Sequence, residues 1–317
     1  MQPRTSVGQR GLRATLRIGL INNMPDAALQ STEAQFFGLL KGAAGSQPIT
    51  VRLSSFPELP RSAEALAQIG SYWPLEELLA EPLDAFIVTG TEPKAARLAD
   101  EPYWPRFAQL LEYAESRRIA SIWSCLAAHA AVKHLDGVER HRLSEKCSGV
   151  YDCSKAGADW LTRGLPATLK VSHSRYNELR EHELAARGYE ILTRSDIAGV
   201  DIFARQLESR FIFFQGHPEY DPSSLQREYM RDLARFLSGE RDSYPNIPVG
   251  YFDAATVIQL ESFEQRARAN RDPVLAAELP GLTLRPDIAA GAAANTIFRN
   301  WLGFLREEAR EPASSRK

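Results

Sequence analysis

Short apolar runs alternate with amphipathic stretches along the first half of the chain. Leu16–Ile21 (LRIGLI) is the kind of run a strand buried on both faces requires. Asn22-Asn-Met-Pro-Asp26 reads as the turn after it. Ser31–Leu40 then spaces its apolar residues on one helical face, with polar residues at its start. Ile49–Leu53 and Asp84–Thr89 predict a second and a third strand, the latter running into Gly90-Thr-Glu-Pro93. Tyr103–Ser116 has helical periodicity, and Pro105 is tolerable in a first turn. Ile119–Ser124 is again apolar, and a small-residue helical pattern leaves Cys125. This order of strand, helix and strand predicts an α/β fold with a mostly parallel sheet flanked by helices. Chemistry in such sheets collects beyond the carboxyl ends of the strands. Gly90, Cys125 and His217, each following an apolar run, are therefore expected to open onto one crevice.

The pattern changes in the second half. Gly149–Phe214 is rich in strand-like runs: Ser148–Cys153, Thr168–Ser172, Tyr189–Thr193, Val200–Ala204 and Arg210–Phe214. Added hairpins flanking the main sheet fit this pattern. Pro222–Leu237 predicts a helix, Asp242–Asp253 a loop punctuated by Pro and Gly, and Gly291–Glu308 a C-terminal amphipathic helix that packs on the body. Residues 1–14 read as a flexible arm, 15–310 as a single domain and 311–317 as a tail.

Composition narrows the function. The chain has 317 residues, enough for a large core, and a formal net charge of −2, which lacks the basic excess of a nucleic-acid binder. No apolar stretch approaches the length of a membrane span, and the first residues lack an apolar signal core. The expectation is a soluble cytoplasmic protein with no membrane partner. The three cysteines, Cys125, Cys147 and Cys153, are too few and too widely spaced for a disulfide framework. Cys147 and Cys153 read as ordinary buried or half-buried thiols, and no ligand cluster at usable spacing implies a metal.

Cys125 is the informative cysteine. A strand that hands a thiol to a helix N-terminus places it among unpaired backbone N–H groups, which favour a thiolate and can hold an oxyanion. Phe211-Ile-Phe-Phe-Gln-Gly-His217-Pro-Glu219 is a second strand, ending in a base and a carboxylate. Glu219 on one imidazole nitrogen would set the tautomer of His217 and raise the basicity of the other nitrogen. His129, one helical turn after Cys125, is a rival base whose ring is expected to trail away from the turn. A lone cysteine in an apolar run is more often core than catalytic. The two blocks together point to a nucleophile, a base and an orienting acid.

Several blocks, in order over roughly residues 16–305, resemble the homoserine O-acyltransferase (homoserine transsuccinylase) family. They include Leu20-Ile-Asn-Asn-Met-Pro25, Thr32-Glu-Ala-Gln-Phe36, Lys146-Cys-Ser-Gly-Val-Tyr151, Ser172-His-Ser-Arg-Tyr176, Gly216-His-Pro-Glu-Tyr-Asp221 and Glu228-Tyr-Met-Arg-Asp232. The blocks around His173 and His217 are the specific ones. The resemblance implies a class I glutamine-amidotransferase-like, flavodoxin-like fold. It implies ping-pong acyl transfer from acyl-CoA to an amino-acid hydroxyl, with Cys125 as nucleophile, His217 as base and Glu219 orienting it. It also implies substrate contacts from Lys146, Ser174 and Arg231, no cofactor beyond acyl-CoA as co-substrate, and a homodimer. Arg231 suits a carboxylate through its planar fork. The oxyanion donors are expected to be the N–H of Leu126 and one from the Asn22–Met24 turn, represented by Asn23.

The chain also departs from that pattern. Leu126 and His129 stand where family members commonly carry Trp and Gln, and the loop reads Thr89-Gly-Thr-Glu-Pro93 instead of Thr-Gly-Ala-Pro. The position that selects the acyl group falls on Lys94, whose charge would attract the distal carboxylate of a succinyl donor. Succinyl transfer to L-homoserine, in methionine biosynthesis, is the expected activity. A divergent relative acylating serine or another hydroxy or amino compound, and a cysteine amidotransferase or hydrolase on the same fold, are the alternatives.

Overall fold

The computed structural model describes residues 15–288 and 292–308, so the expected N-terminal arm and C-terminal tail lie outside the described residues. Strands β1 (Leu16–Ile21), β2 (Ile49–Ser54), β3 (Ala85–Val88) and β4 (Ala120–Ser124) come first. They are followed by β5 (His141–Lys155), β6 (Thr168–Glu178), β7 (Glu190–Ser195), β8 (Gly199–Gln206) and β9 (Arg210–Phe214). The helices are α1 (Leu29–Ala44), α2 (Ala63–Ile69), α3 (Leu75–Ala80), α4 (Trp104–Ser116), α5 (Leu126–Asp136), α6 (Glu181–Ala186), α7 (Ser224–Leu237), α8 (Ala254–Ala269) and α9 (Ala292–Glu308).

All nine strands join one sheet in the order β2-β1-β3-β4-β9-β8-β7-β5-β6. β2, β1, β3, β4 and β9 are mutually parallel, and every residue of β3, β4 and β9 is buried. That burial is why these strands read as unbroken apolar runs. The expected flanking hairpins are not a separate layer. They continue the same sheet, antiparallel, from β9 through β8, β7 and β5 to β6 at the edge.

Alternation along the strands divides the core. Trp123, Phe211 and Phe213 point to the face covered by α4 and α5, where they meet Phe86 and Phe107. Ile122, Ile212 and Phe214 point to the opposite face, against Phe36 of α1 and Phe298 and Trp301 of α9. The C-terminal helix thus packs as its amphipathic pattern requires. A third cluster, with Leu233, Phe236, Tyr251 and Phe263, joins α7 to α8. The Asp253 side chain caps α8 by accepting from the Thr256 N–H at 2.7 Å.

The register positions the site. Val88 pairs with Trp123, and Ser124 pairs with Phe214. Gly90, Cys125 and the Gln215–His217 segment therefore leave the sheet side by side at its carboxyl edge, as the sequence predicts. Gln35 of α1 ties α7 to this edge by donating to the Ser224 hydroxyl at 2.7 Å.

Candidate active site

Cys125 occupies the single residue between β4 and α5, with φ 54° and ψ −115°. A non-glycine residue held there costs about 1–3 kcal/mol and persists only where its surroundings over-determine it. Here the Cys125 N–H donates to the Phe214 carbonyl at 2.7 Å, fixing the elbow to the next strand. Gly90 explains how closely the neighbouring loop approaches. A Cβ on it would lie 2.9 Å from the Leu126 nitrogen, closer than any side chain tolerates.

His217 meets this elbow from β9. Its own N–H donates to the Ser172 carbonyl at 2.7 Å, so the base is anchored to the antiparallel half of the sheet. Nδ1 lies 2.8 Å from Glu219 Oε1, the side chain of Cys125 is within hydrogen-bonding reach of the ring, and Tyr220 stacks on it with centroids 4.2 Å apart. Burial alone would push the imidazole pKa down. The Glu219 carboxylate and the Cys125 sulfur outweigh that and hold it well above the ordinary value. The arrangement thus sets a strongly basic imidazole, oriented by Glu219, beside the Cys125 side chain.

A cavity of about 170 Å³ opens on Cys125 and His217 and is also lined by Lys146, Ser174, Glu228 and Arg231. Three of the expected substrate contacts thus share one chamber. They are held by two acids of α7 that sequence reasoning did not single out. Glu228 accepts from Lys146 Nζ at 3.1 Å, from the Ser174 hydroxyl and from the Tyr220 hydroxyl. Asp232 accepts from Lys146 Nζ at 3.0 Å and from Arg231 at 3.0 Å. Desolvation would raise the Glu228 pKa, but Lys146, Ser174 and Tyr220 keep the carboxyl below its ordinary range. Both acids carry a helical-spacing signal in the sequence, Glu228 and Asp232 at i and i+4 on one face of α7, but the charge pattern alone reads as solvated surface.

Two expected roles are corrected. The Asn23 N–H is taken by Thr89 Oγ1 at 2.8 Å, which leaves it no hydrogen for an oxyanion. The Gly90–Thr91 segment packs against Leu126 and lines the cavity. Lys94 is exposed and lines neither the cavity nor its larger neighbour described below. Its main chain turns inward instead, donating to Glu101 Oε1 at 2.6 Å. His129 lines that larger neighbour beside Cys125 and not the chamber onto which His217 opens. Burial, followed by Arg175 and Arg140, pushes its pKa down to about 3, and both ring nitrogens lack a hydrogen-bond partner.

The structure also gathers Cys153, His173 and Asp201, whose potential ligand atoms lie within 4.8 Å of one another in the buried core. Nothing in their separate sequence contexts brings them together. They converge across the antiparallel half of the sheet, from β5, β6 and β8 respectively.

A family model described as homoserine O-succinyltransferase matches residues 1–310. The homoserine O-succinyltransferase of Bradyrhizobium japonicum is 56% identical over 295 residues, which cover 92% of this chain and 90% of the relative. That of Rhodopseudomonas palustris is 52% identical over 296 residues, covering 92% and 89%. Among solved structures, a glutamine amidotransferase from Thermotoga maritima superimposes with a TM-score of 0.53 at 15% identity, covering 92% of this chain and 98% of that one. One from Methylobacillus flagellatus gives 0.50 at 14% identity, covering 91% and 94%. These two share the fold. On the extent of the sequence match, the chain belongs to the homoserine O-succinyltransferase family.

Proposed function

We propose that the chain transfers a succinyl group from succinyl-CoA to the hydroxyl of L-homoserine, a step of methionine biosynthesis, in two half-reactions on Cys125. Membership of the family supports the substrates. The observation that carries the mechanism is the strained Cys125 elbow within hydrogen-bonding reach of a Glu219-oriented His217. In the first half-reaction the Cys125 thiolate attacks the thioester carbonyl. The carbonyl–CoA bond breaks, and the CoA sulfur leaves with the His217 proton. In the second, His217 takes the proton of the homoserine hydroxyl, whose oxygen attacks the acyl-enzyme and returns the thiolate. The N–H of Leu126 and one from Gly90–Thr91 face the oxyanion of both tetrahedral intermediates.

The small cavity suits the amino-acid acceptor. Its α-carboxylate would meet Arg231 and Lys146, and its ammonium would meet Glu228. Tyr220, stacked on His217 and bonded to Glu228, links the base to that recognition group. Acyl-CoA is the only co-substrate this chemistry needs. No helix among the described residues is long and apolar enough to cross a membrane. A cytoplasmic homodimer belongs to the same reading, with sedimentation as its check.

The test is mass spectrometry of the intact protein after incubation with succinyl-CoA. A gain of about 100 Da on Cys125, discharged by L-homoserine and not by water alone, is expected for covalent catalysis. Transfer at an undiminished rate by a Cys125→Ala variant would remove the proposal.

A further inference from the structure

Cys125 lies on the wall of two cavities. Besides the small acceptor chamber there is a second space of about 790 Å³, lined by the loop from Thr91 to Ala99, the first turns of α5, and Arg140, Arg142, Ser174, Arg175 and Tyr176. Thr91, Cys125, Ser174 and Tyr176 border both. The larger space falls in the range of about 300–1,000 Å³ typical of sites for sizeable ligands, whereas the chamber of about 170 Å³ holds only a small metabolite.

The charges on its walls are unevenly matched. Lys133 pairs with Glu139, Arg97 pairs with Asp100, and Arg175 donates to the carbonyls of Asn177 and Ala198. Arg140 and Arg142 form no ion pair with any carboxylate among the described residues. Nη1 of Arg140 has no hydrogen-bond partner at all, and the Arg142 guanidinium rests 4.8 Å above the Tyr176 ring centroid. The two arginines lie two residues apart, Arg140 just before β5 and Arg142 its second residue, and both line this cavity. The opposite arrangement holds in the small chamber, where Lys146 and Arg231 are both tied to acids. Tyr176 marks the boundary. Arg142 approaches its ring from the large cavity, and Lys146 of the small one lies 5.7 Å from the same centroid.

We infer that the larger cavity seats the CoA portion of the donor, with Arg140 and Arg142 binding its phosphates, so that donor and acceptor reach Cys125 through separate openings on either side of Tyr176. Two unpaired guanidiniums in a partly desolvated cleft match phosphate oxygens in charge and in forked geometry. The CoA thiol leaves by the cavity through which it entered, and the acceptor chamber need not empty for exchange.

This inference rests on the acyl-CoA reading above, and the experiment separates the two. The ratio of kcat/KM for succinyl-CoA to that for the truncated thioester S-succinyl-N-acetylcysteamine is measured in wild type, Arg142→Ala and Arg140→Ala/Arg142→Ala. Free CoA binding is measured by calorimetry on the same proteins. The ratio should fall about tenfold in the single variant and about a hundredfold in the double, as expected for lost charge-assisted bonds, while KM for homoserine moves less than twofold. CoA affinity should fall in step, and added salt should weaken it in wild type more than in the variants. Arg142 is exposed, so its single variant keeps the test valid even if the double variant folds poorly. A ratio equal to wild type in Arg142→Ala, with Cys125 still acylated by both thioesters, overturns the donor cleft and leaves the acyl-transfer reading standing. Failure of both thioesters to acylate Cys125 overturns both.

Discussion

Among the described residues, two clusters of cysteine, histidine and carboxylate stand in opposite surroundings. Cys125, His217 and Glu219 sit at the carboxyl edge of the parallel strands, at the head of a helix, facing two cavities. Cys153, His173 and Asp201 sit inside the antiparallel half of the sheet, all buried. The same residue types respond oppositely. In the first cluster the carboxylate and sulfur outweigh burial and raise the histidine pKa. In the second, burial dominates: the Cys153 thiol is pushed up, His173 is pushed well down, and Asp201 rises to about 6. His173 Nε2 stands 3.5 Å from Asp201 Oδ1, beyond the 2.8 Å contact that couples His217 to Glu219. On the mechanism proposed above, what sets the first cluster apart is the helix terminus, the tight base–acid contact and the opening to a cavity, not the presence of three residue types.

The largest expected contrast is between the sulfurs. Cys125→Ala should lower succinyl transfer by at least about a thousandfold, the scale of a lost nucleophile. Cys153→Ala should leave kcat within about threefold and cost about 1–2 kcal/mol of stability through the space it vacates. Steady-state assays and urea melts on both variants check this, and equal losses of activity would dissolve the distinction. Next in size is Glu219→Gln, which should lower kcat about a hundredfold, the lower end of what positioned acid–base groups contribute. Because Glu219 is the main group raising the His217 pKa, that pKa should fall when followed by imidazole proton NMR. A lost rate with an unmoved pKa would assign Glu219 a different role.

Gly90→Ala tests the close approach of the loop after β3 to the Cys125 elbow. The added methyl falls 2.9 Å from the Leu126 nitrogen and should obstruct the oxyanion donors. A drop in kcat of roughly tenfold to a hundredfold with KM within twofold is expected, in line with losing one such donor. The smallest effect concerns Asp201. Its folded pKa of about 6 lies above the unfolded value near 3.9, so the folded protein binds the extra proton between those values. Stability should therefore decline as pH rises through that window. Asp201→Asn escapes the decline. Its Tm should match wild type near pH 4 and exceed it above pH 6, by an amount corresponding to about 2–3 kcal/mol. Parallel thermal melts across pH decide it, and a constant Tm difference would argue against buried charge.

Much of this was legible in the chain, for physical reasons. The runs at Leu16–Ile21, Asp84–Thr89 and Ile119–Ser124 announce doubly buried strands, and the parallel order places Cys125 and His217 at one edge before any coordinates are seen. Local signals also gave the α5 start and the C-terminal helix. What stayed hidden depends on long-range register or on competition between partners. Glu228 and Asp232 look like surface acids until α7 is laid against Lys146 and Ser174. The Asn23 N–H looks free until Thr89 is seen to occupy it. Lys94 reads as a donor-facing charge until Glu101 turns the loop's main chain inward. Helix α8 has too weak an amphipathic pattern to announce itself, and its place rests on the Asp253 cap and on packing with α7.

The position of β9 has a bearing on how the molecule is made. β4 is flanked by β3, which precedes it, and by β9, which is synthesised last of all the strands. A nascent chain that has emerged only as far as α5 therefore carries Cys125 at the end of a strand with one side bare. It must hold that edge open while β5 to β8 are added beyond it. Until Phe211–Phe214 slot in, that margin offers unsatisfied amides and carbonyls to any passing strand. Ribosome stalling or proteolytic clipping within residues 137–209 should thus yield sticky, aggregating fragments that lack a base as well as a closed sheet.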